Sequence, residues 1–188
     1  SGTNAHTSVE ETIYHNNIPN NELEKWLKVE SERFNELVLR LFHTELEAVY
    51  EEFNRAQDND ARLVYYKLIQ NLFPQSHYGT QTTIGTSEHL KNPSMVAIHN
   101  YFDKYYVPNN MAVMLIGDFD FDTAVPLIDK YFGSYKTKPQ PEQYVAKEQP
   151  IKSIVVKEVA SPSSERVQFA YRFDGANSSD AKYVTLID

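Results

Sequence analysis

The sequence predicts an α+β fold, a largely antiparallel sheet packed with helices, and three observations predict it. Strand-like stretches stand at both ends of the chain and helical signals fill a block between them, an order that favours α+β over alternating units. Residues 111–116 form a near-continuous apolar run from Met111 to Ile116, closed by Gly117 and Asp118, as in a strand covered on both faces. Val167, Phe169, Tyr171 and Phe173 recur at every second position, the spacing of a strand with one buried face.

The elements follow in order. Residues 4–8 and 12–18 are short strand signals, rich in β-branched and aromatic residues yet polar overall, which suits an exposed sheet edge. Pro19 ends this pair. Asn20 or Asn21 is placed to cap a helix from about Glu22 to Phe34, with Leu23, Trp26, Leu27 and Glu30 at helical spacing. Residues 35–42 fit either a helical continuation or a buried turn. Thr44 followed by Glu47 reads as a capping box, which predicts a helix starting at Glu45 and ending near Ala56. Asp58, Asn59 and Asp60 interrupt it and cap another helix through Leu63, Tyr66, Ile69 and Phe73. Residues 74–86 read as a long loop, a length that points to function or mobility. Asn92-Pro93-Ser94 opens a helix through Tyr101 and Tyr105, and Asp122 or Thr123 caps one that Gly133 stops. Residues 136–150, with Pro139, Pro141 and Pro150, read as a surface linker. Residues 154–156 and 167–173 are closing strands joined through 161–164, and residues 178–180 cap a last helix. Residues 1–135 then form the main part of one domain, and 151–188 its closing strands and the start of its last helix.

Composition narrows the function. At 188 residues the chain has room for one domain, or one and the start of another. A net charge of −8 with no basic cluster argues against a nucleic-acid partner, since nothing replaces counterions along a phosphate backbone. Without cysteine there are no disulfides, thiolate chemistry or Cys-based zinc sites within the chain. No apolar run approaches the length of a membrane span. The chain opens at Ser1 in a strand-like stretch without Met, which reads as a piece of a longer protein.

Glu45 and Glu52 carry the sharpest chemical signal. Seven residues apart on a helix, they differ by about 20° in direction, and Ala48, Val49 and Phe53 flank that line, so the spacing puts both carboxylates in an apolar stripe. Acids on an inward face need a cation. That cation is either an Arg or Lys at the edge of a core, or a metal ion with one acid as ligand and the other supporting it. His43 and Glu47, at i and i+4, mimic a metal pair, but Glu47 lies off the stripe and the two read as a surface contact.

Four stretches together resemble a known family. Gly2-Thr3-Asn4-Ala5-His6-Thr7 with Glu11-Thr12-Ile13-Tyr14 forms the first; Glu45 and Glu52 around Ala48-Val49 form the second. His77-Tyr78-Gly79 with Gly85 is the third. The fourth is Tyr105, Tyr106 and Pro108-Asn109-Asn110-Met111 running into Gly117-Asp118-Phe119-Asp120 and Tyr131-Phe132-Gly133. In this order they resemble the insulinase/pitrilysin zinc metallopeptidases, whose relatives include the mitochondrial processing peptidases.

The resemblance implies a zinc-dependent endopeptidase in the full-length parent, with Glu52 as the third zinc ligand and Glu45 supporting the site. The family takes its other ligands and its general base from a His-x-x-Glu-His helix. None of His6, His15, His43, His77, His89 and His99 forms that motif, so it is expected upstream of Ser1. The expectation is therefore a fragment of the family's N-terminal catalytic domain, truncated on its N-terminal side, with no general base here and one zinc ligand of three, too few for a stable site. Alone, the chain is expected neither to hold zinc nor to cleave peptides. Asn4, Ala5, His6 and Thr7 are implied as an edge strand that pairs with an extended peptide or unfolded substrate. A second homologous domain or subunit would complete a clam-shell, and export to the periplasm follows from the resemblance alone. Two other readings stay open: a non-catalytic, peptide-holding subunit of the family, and a structural α+β module.

Overall fold

The structure is a computed structural model that describes residues 2–140, 142, 144–160, 162–173, 175, 178, 179 and 181. These gather into two compact units, one of residues 1–50 with 85–144 and one of residues 51–84 with 145–188.

In the first unit, β1 (Thr3–Thr7) and β2 (Thr12–Asn16) form an antiparallel hairpin, with Thr3 opposite Asn16 and Thr7 opposite Thr12. A 3-10 turn at Asn20–Glu22 leads into α1 (Leu23–Asn35). This helix packs against α7 (Phe121–Phe132), and Leu27 and Ala124 are buried. Lys130 Nζ and the Tyr131 hydroxyl both donate to Glu24 Oε1, at 2.7 and 3.0 Å. α6 (Met95–Tyr105) is capped by Ser94, whose Oγ accepts from the Ala97 N–H at 3.1 Å. Beyond α6, Tyr106 stacks on Phe102 with ring centres 4.7 Å apart, and Phe34 and Tyr14 complete an aromatic cluster.

The second unit is built on α3 (Asp60–Leu72) and the short α4 (His77–Thr80), which pack together. Asn59 caps α3 through the Arg62 N–H, as its position in Asp58-Asn59-Asp60 predicts. Gly79 passes so close to the end of α3 that a Cβ there would collide with the Phe73 carbonyl. Glu148 Oε1 accepts from the N–H groups of Gln75 and Ser76 at 2.9 and 2.7 Å, and Arg172 lies 3.5 Å from its other oxygen. The Arg172 guanidinium also donates to the carbonyls of Leu72 and Gln149.

The α+β class holds, with several corrections to its elements. α2 (Phe42–Gln57) starts at Phe42 rather than Glu45, because Leu41 turns the chain with φ of 52° and its carbonyl accepts the Glu45 N–H. Thr44 thus lies inside the first turn. α7 is capped by Asp120, whose Oδ1 takes both the N–H and the hydroxyl of Thr123, not by Asp122 or Thr123. Residues 74–86 are not one open loop, since α4 forms within them, and α5 (Ser87–Lys91) follows directly. The runs at 111–116, 154–156 and 167–173 form no regular strand: among the described residues the sheet has only β1 and β2, and Ile116 and Ile154 are 91% and 92% exposed. Hydrophobic pattern marks a segment able to pair, but pairing needs a partner strand, and these segments have none among the described residues. The last helix expected after Ser179 lies outside the described residues.

Candidate functional site

The sequence reading singles out the residues of β1, all of which are exposed. The hairpin's backbone pairing decides which of its groups are open. The Asn17 N–H bonds the Gly2 carbonyl at 2.7 Å and the Ser8 N–H bonds the Glu11 carbonyl at 2.8 Å. Hydrogen-bonded pairs alternate with non-bonded ones in an antiparallel ladder, so the even-numbered residues of β1 face β2. The backbone groups of Thr3, Ala5 and Thr7 therefore point to the outer edge, where the Ala5 N–H donates, among the described residues, only to Asn4 Oδ1, at 2.9 Å. Side chains alternate across the two faces. Thr3, Ala5 and Thr7 share one face with Tyr14, as the 3.0 Å bond from Thr3 Oγ1 to Asn16 Oδ1 and the 3.3 Å contact of the Thr7 and Thr12 hydroxyls attest. Asn4 and His6 share the other with Ile13 and His15.

Glu45 and Glu52 stand differently from the expectation. On α2 the packed face is made by Phe42, Leu46, Val49, Tyr50, Phe53 and the buried Ala56, while Glu45, Ala48 and Glu52 are exposed. The two carboxylates flank the packed face instead of lying in its middle, because Ala48, counted as apolar, has too little side chain to turn its flank inward. Among the described residues neither carboxylate makes an ion pair. Glu52 lines a concavity of about 350 Å³ with Arg55, Ala56, Asn59, Arg62 and Ile84. Arg62 is partly engaged, its Nε donating to the Tyr66 hydroxyl at 2.9 Å. No group of three or more His, Cys, Asp or Glu side chains comes together among the described residues. One carboxylate does not make a zinc site, so no catalytic step through zinc is derived from these residues.

Of the other candidates, His43 and Glu47 are both exposed, and His77 stacks on Tyr78 with ring centres 4.7 Å apart. Three features escaped sequence reasoning. The Tyr14 and Tyr106 hydroxyls meet at 2.7 Å, and burial, then this bond, push the Tyr106 phenol far above its ordinary range. His15 sits beside His6. Glu148, placed in a linker by its prolines, is 11% exposed and tied to Arg172. Each joins residues with no shared local period, so no window of sequence carries the signal. No helix among the described residues is long and apolar enough to cross a membrane.

Comparison with known proteins bears on the family rather than on individual residues. The family model described as the peptidase M16 inactive domain matches residues 96–187. A zinc protease of Rickettsia felis is 24% identical over 135 residues, which cover 71% of this chain and 32% of that protein. Among solved structures, the ferredoxin protease FusC, a mutant in complex with Arabidopsis ferredoxin, superposes with a TM-score of 0.69 at 25% identity, covering 76% of this chain and 16% of its own. The first half of the periplasmic protease PqqL from Escherichia coli gives 0.66 at 22% identity, covering 76% and 31%, and supports the fold. The chain spans at most about a third of the curated relatives it matches. Over its C-terminal half the chain is similar to the inactive domain of the M16 peptidases, and zinc proteases stand among its relatives, in line with the insulinase/pitrilysin resemblance.

Proposed function

We propose that this chain is the peptide-holding part of a zinc endopeptidase, with residues 1–135 as its main body, 136–150 as linker and 151–188 as its closing segment. The observation that carries the reading is the open edge of β1: outward backbone groups at Thr3, Ala5 and Thr7 on a strand exposed along its whole length. An extended peptide adds to such an edge through main-chain hydrogen bonds, which tolerate varied side chains. Glu52 supplies one carboxylate ligand to zinc in the complete protein, and Glu45, on the same flank of α2, steadies it. Its exposure and the lack of an ion pair among the described residues leave Glu52 available for that role. The substrate is a peptide or unfolded segment, and a second homologous domain completes the enclosure.

Two experiments test this. Ala5→Pro removes an outward N–H without touching the hairpin ladder, as edge strands allow; it should weaken peptide binding by about three- to tenfold, the worth of one hydrogen bond. Unchanged binding would remove β1 from the site. In the full-length parent, Glu52→Gln should lower zinc content and cleavage together. A parent without stoichiometric zinc that still binds peptide through β1 is instead a non-catalytic holding subunit, the second reading, which the similarity to the M16 inactive domain supports.

A further inference from the structure

The outer face of the hairpin carries two imidazole side chains that no role above uses, since the edge-strand role implied for His6 is a backbone one. His6 and His15 lie with ring centres 6.2 Å apart and planes inclined at 60°. Both are exposed, and among the described residues neither has a hydrogen-bond or ion-pair partner. They are diagonal neighbours: His6 stands opposite Ile13 and His15 opposite Asn4, and the register puts both side chains on one face. By the same alternation Glu11, whose backbone pairs with Ser8, stands on this face and adds a negative charge nearby.

A single metal ion held at about 2.1 Å by one nitrogen of each ring places the ring centres roughly 4.5–6.4 Å apart, as the angle at the metal opens from square to straight. The observed separation falls inside that span, so side-chain rotation alone can bring both nitrogens to one ion. The hairpin backbone is fixed by its ladder, which sets the pair in place before any ion arrives. Neutral imidazole is a ligand for copper(II), nickel(II) and zinc, and affinity along that row peaks at copper.

We propose that His6 and His15 form a surface site for a divalent transition-metal ion, copper(II) most tightly, with water filling the remaining positions. The site shares no residue with Glu45 or Glu52 and does not depend on the peptidase reading.

The test titrates the chain with copper(II) alone and reads stoichiometry by calorimetry and the nitrogen ligands by electron paramagnetic resonance. One ion per chain with two imidazole nitrogens is expected. His6→Ala and His15→Ala should each weaken binding by roughly ten- to a hundredfold, because the second imidazole binds intramolecularly once the first is engaged. His43→Ala and His99→Ala should leave it unchanged. Both target side chains are exposed, and far-ultraviolet circular dichroism of each variant confirms that the fold is kept. Copper uptake equal in the His6→Ala/His15→Ala double variant and the unaltered chain overturns the proposal, as does a signal from one imidazole only.

Discussion

Tyr14 and Tyr106 join their hydroxyls at 2.7 Å across 92 residues of chain, fastening β2 to the segment that follows α6. The Tyr14 ring meets the edge of Phe34 at 5.2 Å, so the bond is embedded in an aromatic cluster that sets where the hairpin stands in its unit. The strand proposed to receive a peptide is held in place through its partner strand by this contact.

Tyr106→Phe should cost about 1 kcal/mol, the worth of a partly buried hydrogen bond, seen as a lower urea midpoint. Burial raises the folded pKa of Tyr106 above the unfolded value, so its contribution is complete below about pH 10 and is lost as pH rises further. The unaltered chain should therefore lose stability in alkali more steeply than Tyr106→Phe, which an equilibrium urea series from neutral pH to pH 11 reads directly.

At the other end of the pH scale, hydrogen bonds from Lys130 and Tyr131 hold the Glu24 carboxyl below its ordinary value of 4.5. A depressed folded pKa means that the stabilisation is present above that value and fades as pH falls through it and beyond. Lys130→Met should flatten the acid limb of the stability curve. An unchanged limb would show that the α1–α7 contact rests on its apolar face alone.

Gly79→Ala should destabilise the second unit by about 1–3 kcal/mol, since the added methyl meets backbone rather than a side chain able to move aside. Thermal melts followed by circular dichroism check it, with Gly175→Ala as a control in open space.

Arg172→Met should cost about 1–3 kcal/mol by leaving Glu148 shielded without its cation. Adding Glu148→Gln should restore part of that loss, because a neutral amide needs no counter-charge. A double variant less stable than the single one would place the weight on the bonds from Gln75 and Ser76 to Glu148 instead.

The helices were legible where their signals are local. α1, α3 and α6 lie where apolar period and the caps at Asn59 and Ser94 place them. The start of α2 was not, because Leu41 adopts a left-handed backbone that no nearby glycine announces. The direction of Glu45 and Glu52 was misjudged by weighting Ala48 like a larger apolar residue. Strands were harder again: a run such as Met111 to Ile116 shows that a segment can pair, while a ladder depends on a partner remote in sequence. The ordered motifs pointed to the same peptidases that the comparisons found, since a set of short matches constrains more than any one of them.

The uncovered apolar segments have a consequence for handling the protein. Ile116, Ile154, Val167 and Phe169 stand open to water on stretches of high β propensity that join no sheet among the described residues, a combination that favours sticking between chains. Mutual repulsion from the surplus of acidic groups opposes this at neutral pH. That repulsion fades as the solution approaches about pH 5.2, where the sequence's acidic and basic groups balance. Mild acid should therefore cloud a solution of this protein before it unfolds it, and purification is best kept well on the alkaline side of that point.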